Sequence, residues 1–174
     1  YTNSIDGDLT GKSLPVNDYW LLKFSALGDL QWSKTYGGSK DDRGQSVIQT
    51  TDGGYAVVGY AMSDDGDGSL NQGFHDNWIL RLDAYGDILW EKSFGFSGHD
   101  HAYDIVQTSD GGLFFSGFLD VTSSGGEGNS RKKITSYAQH GVGEFWGIKL
   151  DADGNLLWRR YFGGTNNDRS FGAV

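Results

Sequence analysis

The chain has 174 residues, of which 28 are Gly, 1 is Pro and none is Cys. Its 14 basic and 23 acidic residues give a formal net charge of −9, and 14% of the residues are aromatic. Disordered chains are poor in aromatic residues, so the composition indicates a folded domain. The acidic balance argues against nucleic-acid binding, which needs a basic surface. Without cysteine there is no disulfide, thiol nucleophile or thiolate metal site, and no apolar run reaches the ~18–20 residues of a membrane span.

The six tryptophans reveal an internal repeat, because they form three pairs with the same internal spacing. An acid precedes the first Trp of each pair by two residues, a base follows it by three and a Gly by eight, and an Asp lies ten residues past the second Trp. The third pair follows the second at a longer interval than the second follows the first. Such regular recurrence indicates stacked supersecondary units. The paired residues are Trp20 and Trp32, Trp78 and Trp90, and Trp146 and Trp158.

Each copy predicts four short strands and no helix. In the first copy, residues 18–24 alternate between apolar and polar side chains, and a glycine turn leads into residues 29–36. Residues 45–50 and 55–61 flank an Asp-Gly-Gly turn, which is a hairpin signal. One turn makes residues 18–24 and 29–36 neighbouring strands, and the other does the same for residues 45–50 and 55–61. The predicted sheet order is therefore 45–50 innermost, then 55–61, then 18–24, with 29–36 outermost.

Four strands per roughly 58 residues are typical of a β-propeller blade. We therefore predict an all-β fold of about three blades in one array, with repeat pieces 1–43, 44–101, 102–169 and 170–174. Closed propellers have about 4–8 blades, so further blades or copies of the repeat are the expected partners. The chain begins at Tyr1 and the copies are cut out of phase, which predicts a piece of a longer protein.

The repeat unit D-[YNF]-W-x-x-[KR]…G-x-x-x-W-x-x-x-[YF]-G…D…Q-T-x-D-G-G-[YL] resembles tandem repeats of large secreted or surface proteins from gliding, type IX-secreting bacteria. The resemblance implies an extracellular or cell-surface, propeller-like array and no particular chemistry. The predicted function is a non-catalytic module for binding, adhesion or scaffolding. One alternative is a fragment of a secreted hydrolase with its catalytic residues on the propeller rim or elsewhere. Another is a structural spacer or filament subunit.

The recurring aromatic and charged positions have two interpretations each. Strict repetition at inward strand positions favours blade-to-blade packing of the six tryptophans over a sugar-binding platform. The recurring bases and acids would either line a ligand funnel that binds a partner or form structural pairs and turn caps. The bases are Lys23, Arg81 and Lys149, and the acids are Asp42, Asp100 and Asp168.

Acidic, glycine-rich loops of one predicted rim suit Ca²⁺, which prefers six to eight oxygen ligands. The candidate ligands are Asp6, Asp8, Asp65 and Asp67. The alternative is a set of solvated loops that keep the protein soluble.

Two further features are specific to single copies. Residues 119–143 form a longer segment with the basic run Arg131, Lys132 and Lys133, which either contacts an acidic protein or surface glycan or is only a longer loop. His99 and His101 would face one way on an extended segment, as in some zinc sites. Isolated surface histidines are the favoured interpretation for these two and for the other two histidines of the chain.

Overall fold

The fold comes from a computed structural model that describes residues 1–9, 11–125, 127–128, 143–164 and 167–174. The candidate partner-binding run Arg131, Lys132 and Lys133 lies outside the described residues, as does most of the longer segment of the third copy.

The described part of the chain is built from ten strands and contains no helix, which confirms the all-β prediction. Within these residues there is accordingly no helix long and apolar enough to cross a membrane. The strands are β1 (Tyr19–Phe24), β2 (Leu30–Tyr36), β3 (Asp42–Gln49), β4 (Tyr55–Ala61), β5 (Asp76–Leu82), β6 (Ile88–Phe94), β7 (His101–Gln107), β8 (Leu113–Asp120), β9 (Gly143–Leu150) and β10 (Leu156–Phe162).

The strands form three antiparallel sheets. The first sheet has two strands in the order β1-β2, the second has the order β3-β4-β5-β6, and the third has the order β10-β9-β8-β7. Both four-stranded sheets therefore have the predicted strand order, and the two-stranded sheet contains the two strands predicted to be outermost. Over the described ranges the sheets do not close into a ring.

The hairpin turns depend on glycines with positive φ, a backbone region that costs other L-residues energy. Gly53 and Gly111 occupy the Asp-Gly-Gly turns with φ of 88° and 81°. Gly28, Gly86 and Gly154 occupy the turns between the two strands that carry each tryptophan pair, with φ of 88°, 80° and 78°. The recurring glycines thus form two hairpins in each four-stranded sheet and one hairpin in the two-stranded sheet.

Two buried layers hold the sheets together, one on each side of the second sheet. Successive side chains of a strand point to opposite faces, so β5 serves both layers. Trp78 and Leu80 pack against Tyr19 of the first sheet, whereas Ile79 packs in the layer that contains Trp146 of the third sheet. All five side chains are buried. The first junction, between the first and second sheets, and the second junction, between the second and third sheets, therefore each bury the first Trp of a pair.

In the first two pairs, the second Trp reaches over the glycine turn of the next sheet. A Cβ placed on Gly86 would lie 3.3 Å from Cη2 of Trp32, and one on Gly154 would lie 3.0 Å from Cη2 of Trp90. Trp158 belongs to the last sheet and is 40% exposed. The same tryptophan-on-glycine contact therefore joins the sheets at both junctions.

Candidate functional site

The predicted tryptophans occupy packing positions, and their exposure depends on the sheet that carries them. Trp78 and Trp146 are buried within junctions, whereas Trp20 of the first sheet is only partly buried. The indole Nε1 of Trp20 donates a hydrogen bond to Oγ of Ser33 at 3.0 Å. This placement favours blade packing over a sugar-binding platform.

The recurring bases pair with the aspartates of the Asp-Gly-Gly turns. The Arg81 guanidinium forms an ion pair with Asp52, and Nζ of Lys149 lies 3.0 Å from Asp110. Lys23 of the first sheet lies over the Tyr55 ring instead, with Nζ 5.5 Å from its centre. These contacts brace strands and turns within the stack, so they favour the structural interpretation of the bases.

The recurring acids Asp42, Asp100 and Asp168 hold turns. Each carboxylate accepts a hydrogen bond from the backbone N–H four residues earlier, at 3.0, 2.7 and 2.8 Å respectively. Asp42 and Asp100 are fully buried, and burial raises the pKa of Asp100 to about 7. Their placement favours turn capping over the lining of an open ligand funnel.

The acidic loops meet along one side of the stack. Asp65 and Asp67 of the β4–β5 loop accept backbone hydrogen bonds from the β2–β3 loop at 2.8 and 3.2 Å. The other two candidate calcium ligands, Asp6 and Asp8, are exposed. Within the described residues, none of the four belongs to a group of three ligating side chains, and calcium binding there stays a prediction.

Three histidines converge at the second junction. His75 directly precedes β5 in the second sheet, His99 lies in the β6–β7 loop, and His101 begins β7 in the third sheet. The Nδ1 atoms of His75 and His99 are 2.8 Å apart, and Nε2 of His101 is 3.1 Å from Nδ1 of His75. One ring nitrogen from each lies within 4.8 Å of the others, and all three residues are half-buried. The arrangement therefore brings three potential metal ligands together within reach of solvent.

Backbone and aromatic contacts fix the three imidazoles. The His101 ring stacks on Tyr60 with centroids 4.3 Å apart and an interplanar angle of 17°. The ring of Phe74 lies 4.7 Å from that of His99, and the amide of Asp100 donates to the His75 carbonyl at 2.7 Å. The histidines thus stand on a braced part of the fold.

The repeat relates these histidines to three residues at the first junction. Asn17, Asp41 and Arg43 have the same positions relative to their tryptophan pair as the three histidines have to theirs. The backbone N–H and the side-chain amide of Asn17 both donate to the Asp41 carboxylate at 3.1 Å. Arg43 completes the group with an ion pair to Asp41 at 3.0 Å. At the first junction the equivalent positions therefore hold a complementary hydrogen-bonded triad.

In the third copy the equivalent positions are occupied by Gly143, Asn167 and Arg169. Here the backbone N–H of Gly143 donates to Oδ1 of Asn167 at 2.8 Å. The Gly143 carbonyl accepts a bond from the amide of Asp168 at 2.8 Å, which matches the bonds that Asn17 and His75 accept. The backbone frame is therefore repeated three times while the side chains on it differ.

The third position of each triad stacks on an aromatic ring of the preceding unit. The distances to the ring centres are 5.1, 4.3 and 5.0 Å. The pairs are Arg43 on Tyr1, His101 on Tyr60 and Arg169 on Phe118. The histidine thus replaces an arginine in an otherwise repeated contact.

The sequence pattern paired His99 with His101 but did not join His75 to them. The contact of His75 with the others crosses from one sheet to the next, and local spacing does not reveal such a contact. The available signal was the repeat frame, because His75, His99 and His101 all match positions that meet at the other junctions.

A groove of about 610 Å³ lies between the open edge of β1 and strand β3. Its walls include Trp20, Trp32, Val47 and Tyr55. At the second junction the corresponding space is filled by β4, which pairs with β5 and packs against β7. Among the described residues, the first sheet has no strand equivalent to β4. The groove therefore lies where such an inner strand would pair with β1.

Comparison with known proteins does not assign the chain to a family. No protein-family model matches it, and no curated protein is significantly similar to it.

Proposed function

We propose that the chain is a non-catalytic, propeller-type repeat module of an extracellular or cell-surface protein, where it serves as a scaffold for binding. The observation that supports this most strongly is the repetition of one sheet-to-sheet contact. Trp32 on Gly86 and Trp90 on Gly154 are equivalent by position and by geometry. A unit that joins its neighbour through a fixed contact can be extended to further copies, as repeat proteins are.

The C-terminal segment supports this extension. Asp104 of β7 accepts a hydrogen bond from Ser46 of β3 at 2.7 Å, and on its other side it accepts one from the amide of Ala173 at 2.8 Å. Phe171 packs on Tyr103 with ring centres 5.1 Å apart. The segment therefore contacts β7 through the same carboxylate that contacts β3, which supports the proposal that an inner strand of a further unit begins here.

The N-terminal segment supports it equally. Thr2 and Asp18 form an antiparallel bridge with bonds of 2.9 and 3.0 Å. In the second sheet, Ala61 at the end of β4 pairs with Asp76 in the same way. Thr2 therefore matches Ala61, the last residue of β4. We infer that the inner hairpin of a further repeat fills the groove beside β1.

This inference is tested by adding the hairpin. Residues 42–59 would be duplicated directly before Tyr1, because Tyr1 corresponds to Tyr60. We expect a higher melting temperature and weaker binding of an apolar dye, since the duplicated β4 would cover the groove. In the control, the duplicated copies of Ala56 and Val58 are changed to Asp, and the gain should disappear. An extension that changes neither quantity would count against a repeat array.

The binding role has a separate test. Immobilised surface glycans and cell-surface protein fractions would be probed with the extended chain and with a variant in which residues 121–142, between β8 and β9, are replaced by the shorter β4–β5 loop. Binding that depends on this segment supports a binding scaffold, whereas a purely structural spacer would bind neither the glycans nor the protein fractions.

Calcium binding at the acidic loops is tested separately. It predicts a higher melting temperature in millimolar Ca²⁺ than in EDTA.

A further inference from the structure

We propose that His75, His99 and His101 form a binding site for one divalent transition-metal ion of the Zn²⁺ type, located where the second and third sheets meet. This site is additional to the scaffold role and does not depend on further repeats.

The geometry of the cluster suits such an ion. Zn–N bonds of about 2.0–2.1 Å at tetrahedral angles separate two ligand nitrogens by about 3.3 Å. The observed nitrogen separations are 2.8 Å for His75 to His99 and 3.1 Å for His101 to His75. Small rotations of the rings would therefore bring three lone pairs onto one ion. Three protein ligands leave a fourth position for water or for a group on a partner.

The ligand chemistry selects the class of ion. Imidazole nitrogen suits Zn²⁺, Cu²⁺ and Ni²⁺, whereas Ca²⁺ and Mg²⁺ prefer oxygen. Across the described part of the chain, the side chains that could jointly hold an ion are these histidines and not an acidic group. The cluster is therefore distinct from the calcium site predicted on the acidic loops.

The repeat provides the strongest argument. The first junction fills these positions with Asn17, Asp41 and Arg43, whose charges and hydrogen bonds complement one another. At the second junction all three are histidines, although the backbone bond from Asp100 to the His75 carbonyl is the same as its counterpart. Packing does not require this change, since the fold is built without histidine at the equivalent positions of the other copies. A shared ligand explains why all three positions differ together.

The site would also brace the junction. His75 belongs to the second sheet, while His101 begins the third. An ion held by both adds a bond across the junction that is present only in the folded state. It should therefore stabilise the fold by an amount that grows with the logarithm of the free Zn²⁺ concentration above the dissociation constant.

The test uses the full chain after removal of metal with EDTA. Titration calorimetry with Zn²⁺ should give one site per chain, and Zn²⁺ should raise the melting temperature. Co²⁺ should give the visible absorption of a four-coordinate nitrogen site. An excess of Ca²⁺ should leave the zinc titration unchanged, because the ligands are nitrogens.

The matched control is the triple variant His75→Asn, His99→Asp and His101→Arg, which introduces the triad of the first junction. It should fold with the melting temperature of the metal-free chain and bind Zn²⁺ at least about 10–100-fold more weakly, as even loss of an outer-shell partner does. The single variant His101→Arg provides a second readout, because both other copies carry arginine there. Zinc affinity equal to that of the unmodified chain in the folded variants, or no stoichiometric binding by the unmodified chain, would overturn the proposal.

Discussion

The first and second junctions of the stack share their packing but differ in the polar group at one end. Both bury the leading tryptophan of a pair, and both place a trailing tryptophan over a glycine turn. The first junction ends in the triad Asn17, Asp41 and Arg43, whereas the second ends in three histidines. The comparison shows that the apolar contacts are common to both junctions, whereas the polar residues at three equivalent positions differ.

The largest expected effect is the loss of stability when a tryptophan buried at a junction is removed, compared with removal of one from the first sheet. Trp78→Ala should reduce the free energy of unfolding by about 3–5 kcal/mol, because it empties a fully buried site. Trp20→Ala should cost about 1–2 kcal/mol, since the Trp20 side chain is only partly buried. Urea denaturation measures both values. Equal losses would mean that the two tryptophans do not differ as the stack requires.

The next effect isolates the tryptophan-on-glycine contact. Gly28→Ala should reduce the free energy of unfolding by about 1–2 kcal/mol, because alanine is strained at this positive φ. No clash adds to this cost, since no neighbouring atom lies within 4 Å of the added Cβ. Gly154→Ala should cost about 1–3 kcal/mol more, because the added Cβ would lie 3.0 Å from the Trp90 indole. Denaturant titration of both variants provides the comparison. If the two glycines behaved alike, the contact would not contribute to the junction.

A smaller effect concerns the ion pair within the second sheet. Asp52→Asn should cost about 0–1 kcal/mol because the carboxylate is mostly exposed, although its partner Arg81 is buried. Asp64→Asn is the matched control, since its pair with Lys40 is exposed on both sides and should contribute nothing measurable. The loss at Asp52 should shrink in 1 M salt. A loss that is insensitive to salt would point to turn geometry and not to charge.

The same aspartate predicts a pH dependence. A hydrogen bond from the Thr50 hydroxyl and the nearby Arg81 charge hold the pKa of Asp52 below its ordinary value of 3.8. Its contribution to stability is therefore present at neutral pH and is lost as the pH falls below 3.8. Unfolding measured from pH 6 downwards should show a smaller acid loss for Asp52→Asn than for the unmodified chain. Parallel curves would contradict this assignment.

Much of the fold follows from local sequence signals. The Asp-Gly-Gly turns and the turn glycines such as Gly86 require a positive φ, and strand alternation sets the faces, so the strands and their order could be predicted. The triad positions could not be recognised in the same way, because residues such as His75 and His99 meet only when one sheet stacks on the next. The buried state of Asp42 was also not predictable, since an acid on a glycine-rich loop is usually solvated.

The most direct test transfers the chemistry of one junction to the other. The variant Asn17→His, Asp41→His and Arg43→His should fold and bind a second Zn²⁺ ion, because both junctions hold these three positions with the same backbone hydrogen bond. The number of zinc ions per folded chain, measured by titration calorimetry, should therefore rise from one to two. A folded variant that still binds only one ion would contradict the equivalence of the junctions.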